Sequence, residues 1–261
     1  MPSADALVLR TVDFSETSLI VTLYTRQFGK VEALAKGGRR LKSPFESSLD
    51  LLAKNSIVFI QKRGDVLDIL TESKLIRRFR VRSSNLAGTL GGCYAAELVN
   101  SFTALGDSMP SLYDLTVKVL HQLETGTLVM RTLTRFEGRL LQILGHSPSL
   151  RNCVVCNEPI TRVPGERICF GMLDGGIICS DCLSEHRQTV AVASETLDTW
   201  EALMSPLDRS EHWKHLSMSR QTLGEIRRLA NQYICTLLGR KPRLHDWWNV
   251  IVRNDRNGGE T

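Results

Sequence analysis

The sequence lacks the features that identify a membrane or secreted protein. Across its 261 residues, no apolar run approaches the ~20 residues that a membrane span needs. The first residues, Met1 to Leu9, have no basic start and no long apolar stretch, so they do not resemble a secretory signal. We therefore expect a cytoplasmic protein with no membrane partner.

The sequence also lacks the short motifs of common catalytic sites. It contains no H-E-x-x-H, no G-x-S-x-G and no G-x-G-x-x-G. A His245–Asp246 dipeptide precedes Trp247 and Trp248, but adjacent side chains on a helix or strand do not face a common substrate. We therefore predict that the protein is not an enzyme and has no small-molecule substrate. The tryptophan pair is more typical of packing or of a docking surface.

The first part of the chain predicts a small closed β-barrel. Its segments are rich in β-branched and apolar residues and are separated by tight turns, such as the one at Gly64. The predicted strands are Ala6–Val12, Ser18–Thr25, Val31–Lys36, Ser56–Lys62 and Val66–Glu72. Short strands with tight turns in so short a span favour a barrel over a sandwich.

From about Ser84 the pattern changes to helices. Helical periodicity continues to about Gly145 and returns in Ser194–Leu203 and Ser219–Leu238. We therefore predict an α+β, multi-domain chain, with the barrel over residues 1–80 and an α-helical domain over residues 81–261. Residues 151–184 contain paired cysteines and strand-like pieces, so we predict that they form a zinc-ribbon-like subdomain inserted into the helical domain.

Four of the seven cysteines form two C-x2-C pairs in this inserted island: Cys153 with Cys156, and Cys179 with Cys182. Each C-x2-C turn places two thiolates on one side of a tight knuckle, and two knuckles close a tetrahedral Zn²⁺ site. Four protein ligands leave no open position, so we expect one structural zinc. An iron site uses the same spacing, and a metal-free or redox-active pair is the remaining alternative.

Net charge is only +5, but the basic residues are unevenly distributed. Six basic residues lie between Arg26 and Lys42 against one acid, and five lie between Lys74 and Arg82 against none. A single charge run is usually a solvated loop, whereas two runs in one barrel favour contact with nucleic acid. The predicted contacts are Lys30, Lys36, Arg39, Arg40, Lys42, Arg78, Arg80 and Arg82.

The stretch KGGRRLKS, from Lys36 to Ser43, resembles a phosphate-binding loop only superficially. A P-loop aligned on Lys42 and Ser43 would need glycine where Leu41 stands, and Pro44 disfavours the helix that must follow. A basic loop between barrel strands is the alternative that we favour. Its available stacking partners are Phe14, Tyr24, Phe28 and Phe45, although these could equally be core residues.

The order of parts resembles the bacterial recombination mediator family RecO. The similarity lies in the opening segment VLRTVDFSETSLIVTLYTRQFGKVEALAKGGRR, in YAAEL, in RFEGRLLQILGHSPSLRNCVVC and in FGMLDGGIICSDC. The sequence departs from the family at Asn157, which replaces the usual glycine after the first knuckle; asparagine tolerates left-handed backbone. The C-terminal LGRKPRLHDWW matches only loosely, so no function is carried onto it.

The resemblance implies an oligonucleotide-binding (OB-fold) barrel and a non-enzymatic role in DNA repair. Members of the family bind single- and double-stranded DNA, anneal complementary strands and partner RecR. With RecR they help to load RecA onto DNA coated by single-strand binding protein, which implies a cytoplasmic, nucleoid-associated location. Two alternatives remain from the residues alone: a protein-interaction scaffold, and an RNA-binding factor with a structural zinc.

Overall fold

The structure is a computed structural model that describes residues 1–40, 42–43, 45, 48–62, 64, 66–82, 86–205 and 212–245. The chain divides into two compact units, whose described parts are residues 1–129 and 130–245. The first unit groups two helices with the barrel, and the predicted domain division at residues 80 and 81 stays a prediction. The Trp247–Trp248 pair lies outside the described residues.

The first unit contains a closed five-stranded barrel, as the sequence predicts. The strands run in the order β1-β2-β3-β5-β4, and β4 pairs back onto β1 to close the barrel. Neighbouring strands are antiparallel except β3 and β5, which are parallel. The strands are β1 (Ser3–Asp13), β2 (Leu19–Thr25), β3 (Gly29–Ala35), β4 (Lys54–Ile60) and β5 (Asp68–Arg77).

The side chains of alternate residues point inward and fill the barrel interior. In β3, Val31, Ala33 and Ala35 point inward and are buried, while the residues between them are half-exposed. Small alanines offset large residues such as Phe59, which meets Phe28 edge to face with ring centroids 5.5 Å apart. Because side chains fill it, the interior is a packed core and not a channel.

The fifth strand joins two segments that the sequence predicts separately. The pattern predicts a strand over Val66–Glu72 and an extended or edge segment from Lys74 to Arg82, whereas the structure has one strand that begins at Asp68 and continues to Arg77. The extension is stabilised by β4, whose first residue, Lys54, lies opposite Arg77. The start of the second basic run is therefore strand, and its remainder follows the strand end.

Two helices pack beside the barrel in the first unit: α1 (Leu86–Phe102) and α2 (Pro110–Leu123). The glycines of α1 do not interrupt the helix, which is continuous. A Cβ at Gly88 would lie 2.8 Å from the backbone oxygen of Leu123, so this glycine lets the end of α2 approach closely. A Cβ at Gly92 would crowd Phe79 at 2.9 Å.

The second unit combines three helices with a small antiparallel sheet of order β7-β6-β8. Its aromatic core is centred on Phe170, whose ring centroid lies 6.3 Å from that of Trp200 and 5.7 Å from that of Tyr233. The elements are α3 (Val129–Ile143), β6 (Arg167–Gly171), β7 (Gly176–Ile178), β8 (Thr189–Ala193), α4 (Ser194–Met204) and α5 (Arg220–Leu238). The predicted helical segments are thus confirmed.

Three arginines spaced one helical turn apart on α3 support the end of α4. Arg135 donates to the backbone oxygen of Ser205 at 3.1 Å, and Arg139 donates to that of Met204 at 3.4 Å. Arg131 binds the following turn through the oxygen of Trp213 at 3.4 Å. These contacts satisfy carbonyl groups that a helix end leaves unpaired. None of the described helices is long and apolar enough to cross a membrane.

Candidate metal centre and nucleic-acid interface

The four cysteines of the two C-x2-C pairs come together in the second unit. The sulfur atoms of Cys153, Cys156, Cys179 and Cys182 all lie within 4.8 Å of one another. The Cys156 and Cys179 sulfurs are 3.8 Å apart. A tetrahedral site with Zn–S bonds of ~2.3 Å places its sulfurs ~3.8 Å apart, so the cluster has the dimensions of a four-thiolate metal site.

Short-range hydrogen bonds shape both knuckles. In the first, the Asn157 N–H donates to the Cys153 oxygen at 2.9 Å, and in the second the Cys182 N–H donates to the Cys179 oxygen at 3.2 Å. Asn157 has a φ of 62°, so its backbone is left-handed, a conformation that asparagine tolerates. The first knuckle is fixed to β7 because the Val154 N–H donates to the Ile177 oxygen at 3.0 Å.

The thiols of the cluster have different pKa values. Burial acts to raise the pKa of the Cys153 thiol, but hydrogen bonds from the backbone of Cys156, Cys179 and Val155 outweigh it and lower the pKa to about 6. The neighbouring Cys179 thiol is the main cause that raises the pKa of Cys182 to about 12. Crowded thiolates repel one another, and a bound cation is what allows all of them to ionise together. The donor set therefore fits a divalent metal.

The remaining cysteines take no part in this cluster. Cys93, Cys169 and Cys235 are half-buried, and burial raises the pKa of the Cys93 thiol. A raised pKa disfavours the reactive thiolate of Cys93, in keeping with its interpretation as a small packing residue.

Parts of both basic runs lie at the same end of the barrel. In the first run, Arg26 and Lys30 lie near the start of β3, and the remaining basic residues follow the end of that strand. The second run ends β5 and continues beyond it. Because β3 and β5 are parallel, with Ala35 opposite Leu70, their carboxyl ends point the same way. The β1–β2 turn lies at this end too, since Leu19 pairs with both Asp13 and Ala35. We call the surface formed by the turn at residues 14–18, the loop residues 36–40 and 42–43, and residues 77–82 the basic end.

Basic side chains of the first run are exposed at the basic end. Lys36, Arg40 and Lys42 are exposed, and within the described part of the chain they form no ion pair. Arg39 has a second role, because its guanidinium donates to the Ser15 oxygen at 2.8 Å and pairs with the Asp13 carboxylate at 3.1 Å. Arg39 thus joins the loop to the β1–β2 turn.

The second run is partly engaged with its own unit. Arg78 lies 3.7 Å from the Asp50 carboxylate. The backbone N–H of Arg80 donates to the Glu124 carboxylate at 3.2 Å, and that of Arg82 donates to the Glu124 backbone oxygen at 2.9 Å. The side chain of Arg80 is exposed. The segment is held in place at the end of α2, with Arg80 directed to solvent.

Lys30 is placed apart from the other predicted contacts. It is the second residue of β3, at the opposite end of the barrel, and its ammonium donates to the Asn100 backbone oxygen at 2.9 Å. Its partial burial lowers its pKa. A cavity of about 360 Å³ opens beside it, between Phe28, Phe59 and Leu105. The structure therefore separates Lys30 from the basic end, and its role in binding stays a prediction.

Among the candidate aromatic residues, the structure separates Phe14 from the rest. Tyr24 and Phe45 are buried in the first unit and Phe28 is half-buried, whereas the Phe14 side chain is exposed. Sequence reasoning also missed Arg10, an exposed residue of β1 that is opposite Thr22. A single arginine in a strand gives no signal by composition, so only the strand register reveals its place.

Comparisons with known proteins cover both units. The family model described as "Recombination protein O N terminal" matches residues 1–79, and that described as "Recombination protein O C terminal" matches residues 83–245. The DNA repair protein RecO of Rhodopirellula baltica is 43% identical over 200 residues, which cover 77% of this chain and 74% of that protein.

Similarity to two further relatives extends over nearly the whole chain. The DNA repair protein RecO of Syntrophus aciditrophicus is 30% identical over 239 residues, covering 91% of each chain. That of Myxococcus xanthus is 29% identical over 243 residues, covering 93% of this chain and 95% of the relative. The similarity is thus not confined to the barrel or to the cysteine island.

Proposed function

Because the chain belongs to the RecO family, we propose that it is a non-enzymatic, DNA-binding mediator of recombination and repair. It would bind single- and double-stranded DNA and anneal complementary strands. With RecR it would help RecA to load onto DNA covered by single-strand binding protein. Such a role would place it in the cytoplasm, associated with the nucleoid.

The observation that supports DNA binding most directly is the parallel pairing of β3 with β5. Through it, both basic runs reach one end of the barrel, although they are separated by β4 in the sequence. Cations gathered at one end attract the phosphate backbone of either nucleic acid form without reading its sequence. Most of the affinity would therefore be electrostatic and would fall steeply with added salt.

Individual residues would contribute in different ways. Lys36, Arg40 and Lys42 would contact phosphates directly, since they are exposed and unpaired among the described residues. Arg80 would extend this track, with Arg78 and Arg82 beside it. Arg39 would both attract phosphate and hold the β1–β2 turn in place.

The experiment is a fluorescence titration of the full chain with a labelled single-stranded oligonucleotide of random sequence, repeated across a salt series. Lys36→Ala and Arg40→Ala should each weaken binding and reduce the slope of log affinity against log salt by roughly 1. Lys241→Ala removes an equally exposed lysine from the second unit and is the matched control. If both loop variants kept the wild-type affinity and slope, the loop would be the wrong site.

The same titration separates the alternatives. A scaffold that binds an acidic protein would show no binding to the oligonucleotide at physiological salt. For an RNA-binding factor, RNA of equal length would displace the DNA at lower concentration than unlabelled DNA does. Equal or better competition by DNA supports the proposal.

We further propose that the four-cysteine cluster holds one structural Zn²⁺. The ligands would be Cys153, Cys156, Cys179 and Cys182, and four thiolates complete a tetrahedral shell without an open position for catalysis. Four sulfur ligands alone do not separate zinc from iron. Elemental analysis of the purified protein tests the assignment, since one iron per chain in place of zinc would contradict it.

A further inference from the structure

Phe14 differs from every other aromatic residue that the structure describes. Its side chain is 58% exposed, whereas the other described phenylalanines, tyrosines and tryptophans are buried or half-buried. Scattered exposed aliphatic residues are normal on protein surfaces. A large exposed ring at the basic end is more informative, because the other described aromatic residue there, Phe79, is half-buried.

The backbone that carries the Phe14 ring is firmly held. The β1–β2 ladder continues to the pair of Asp13 with Leu19. The turn is then closed by the Phe14 N–H, which donates to the Ser18 oxygen at 3.1 Å. Arg39 binds the residues on both sides of Phe14, namely the Asp13 carboxylate at 3.1 Å and the Ser15 oxygen at 2.8 Å. Its own N–H donates to the Thr17 oxygen at 3.1 Å.

The turn itself contributes little positive charge. It carries Asp13 and Glu16, and Arg39 neutralises only one of these acids. The cations that would hold a phosphate backbone lie instead on the adjoining loop, at Lys36 and Arg40. At the basic end, therefore, the loop carries the positive charge and the turn carries a fixed apolar ring.

We propose that Phe14 is a base-stacking platform and that it gives the basic end its preference for single strands. The inference rests on the proposed DNA-binding function. Bases in a duplex are stacked on one another and cannot cover a protein side chain, whereas an unpaired base can lie flat on an exposed ring. When the loop binds the phosphates of a DNA strand, it would bring an unpaired base of that strand to Phe14. Stacking of this kind tolerates any base, as a sequence-independent mediator requires.

The test compares single-stranded and duplex oligonucleotides on the full chain across a salt series. Phe14→Ala should weaken single-strand binding by roughly 5-fold to 100-fold. The salt slope should stay unchanged because no charge is lost, and duplex affinity should remain at the wild-type value. Phe14→Trp keeps an aromatic face and should restore single-strand binding. Leu105→Ala removes another exposed apolar side chain, 62% exposed and at the other end of the barrel, and serves as the control.

An abasic oligonucleotide isolates the ring–base contact. It has the same phosphates but no bases, so wild type and Phe14→Ala should bind it equally. If Phe14→Ala weakened binding to the abasic strand or to duplex as much as to the normal strand, the ring would act through the fold of the turn, and stacking would be wrong. Wild-type affinity of Phe14→Ala for the normal strand would also overturn it.

The outcomes distinguish this inference from the proposed function. Loss of binding in Lys36→Ala and Arg40→Ala together with an unchanged Phe14→Ala would leave the DNA-binding site in place and remove only the stacking role. Wild-type binding in the lysine and arginine variants would instead reject the site itself. Photo-crosslinking to 5-iodouracil strands adds a direct readout, since the peptide containing Phe14 should be labelled in wild type and not in Phe14→Ala.

Discussion

At the scale of single residues, several side chains act in ways that depend on partners far along the chain. Arg39 lies in a basic run but holds a turn more than twenty residues away from it through Ser15 and Asp13. Lys30 lies in the same run but donates to the end of α1 at Asn100. Both residues look alike in the sequence, because a charge run does not reveal where the backbone places each side chain.

The residue-scale prediction concerns Cys153, the buried cysteine of the cluster. Cys153→Ser should lower the bound metal from about one per chain to nearly none, because three thiolates bind far more weakly than four. The cysteine island should then lose its protection against proteolysis, while the barrel keeps its protection. Elemental analysis and limited proteolysis measure these two effects.

Cys169→Ser is the control, since Cys169 is a half-buried cysteine of β6 outside the cluster. It should retain the metal. A Cys153→Ser protein that remained folded in the island without metal would contradict the structural role of the ion.

At the scale of elements, periodicity and spacing predicted most of the fold. Gly145 and Gly239 follow helical stripes in the sequence and adopt left-handed backbone in the structure, with φ of 77° and 65°. The four-cysteine cluster was predictable because the ligands of each knuckle are local. The parallel partnership of β3 with β5 was not, since alternation identifies a strand but not its neighbour. The shared end of the two basic runs depends on that partnership.

An element-scale prediction follows from Glu225 on α5, which joins β6 to α4. Its carboxylate binds Arg167 at 2.8 Å and accepts a hydrogen bond from the Thr196 hydroxyl. Burial acts to raise the pKa of Glu225, but Thr196 and Arg167 outweigh it and hold the pKa below its ordinary value of 4.5. Glu225→Gln should therefore lower the free energy of unfolding by about 1 kcal/mol at neutral pH, a value kept small because Arg167 is half-exposed.

The sign of the pH dependence is fixed by the lowered pKa. A carboxyl whose pKa is lower in the folded protein stabilises it above the unfolded value and loses that effect as pH falls. The difference between wild type and Glu225→Gln should be complete above about pH 5 and should shrink as the pH drops below 4.5. Urea unfolding at several pH values measures it, with exposed Glu72→Gln as the control. A difference that grew at low pH would contradict the assignment.

At the scale of the whole molecule, the chain combines two units stabilised by different means. The barrel has its own apolar core, which includes Ile57, Phe59 and Leu70. Around its two knuckles, at residues 151–160 and 179–184, the cysteine island buries only Cys153, and segments of this size need a metal or disulfides to stay folded. The described structure contains the four-cysteine cluster and the basic end in different units. Stability of the island and binding by the barrel should therefore be separable.

Removal of the metal should therefore affect the cysteine island and leave the barrel unchanged. A strong chelator should accelerate hydrogen exchange of the backbone amides in β6 and β7 by about 100-fold or more, because the ion stabilises only the folded island. Amides of β1 to β5 should keep their protection, and affinity for single-stranded DNA should change little. Mass spectrometry of exchanged peptides measures the first two effects. Equal loss of protection in the barrel would show that the ion supports the whole chain.

The closure of the barrel through β4 also determines the order in which the chain can fold. Strand β1 pairs with the nearby β2. Its other edge stays unpaired until β4 is made and Ala6 pairs with Asn55. The last strand pair to form, β3 with β5, requires Leu70 to pair with Ala35. Contacts so distant in sequence slow folding, and a nascent chain cannot close the barrel until β5 has left the ribosome. Until then, the basic loop lies on an open sheet, so the basic end is completed only when the last strand of the barrel has been made.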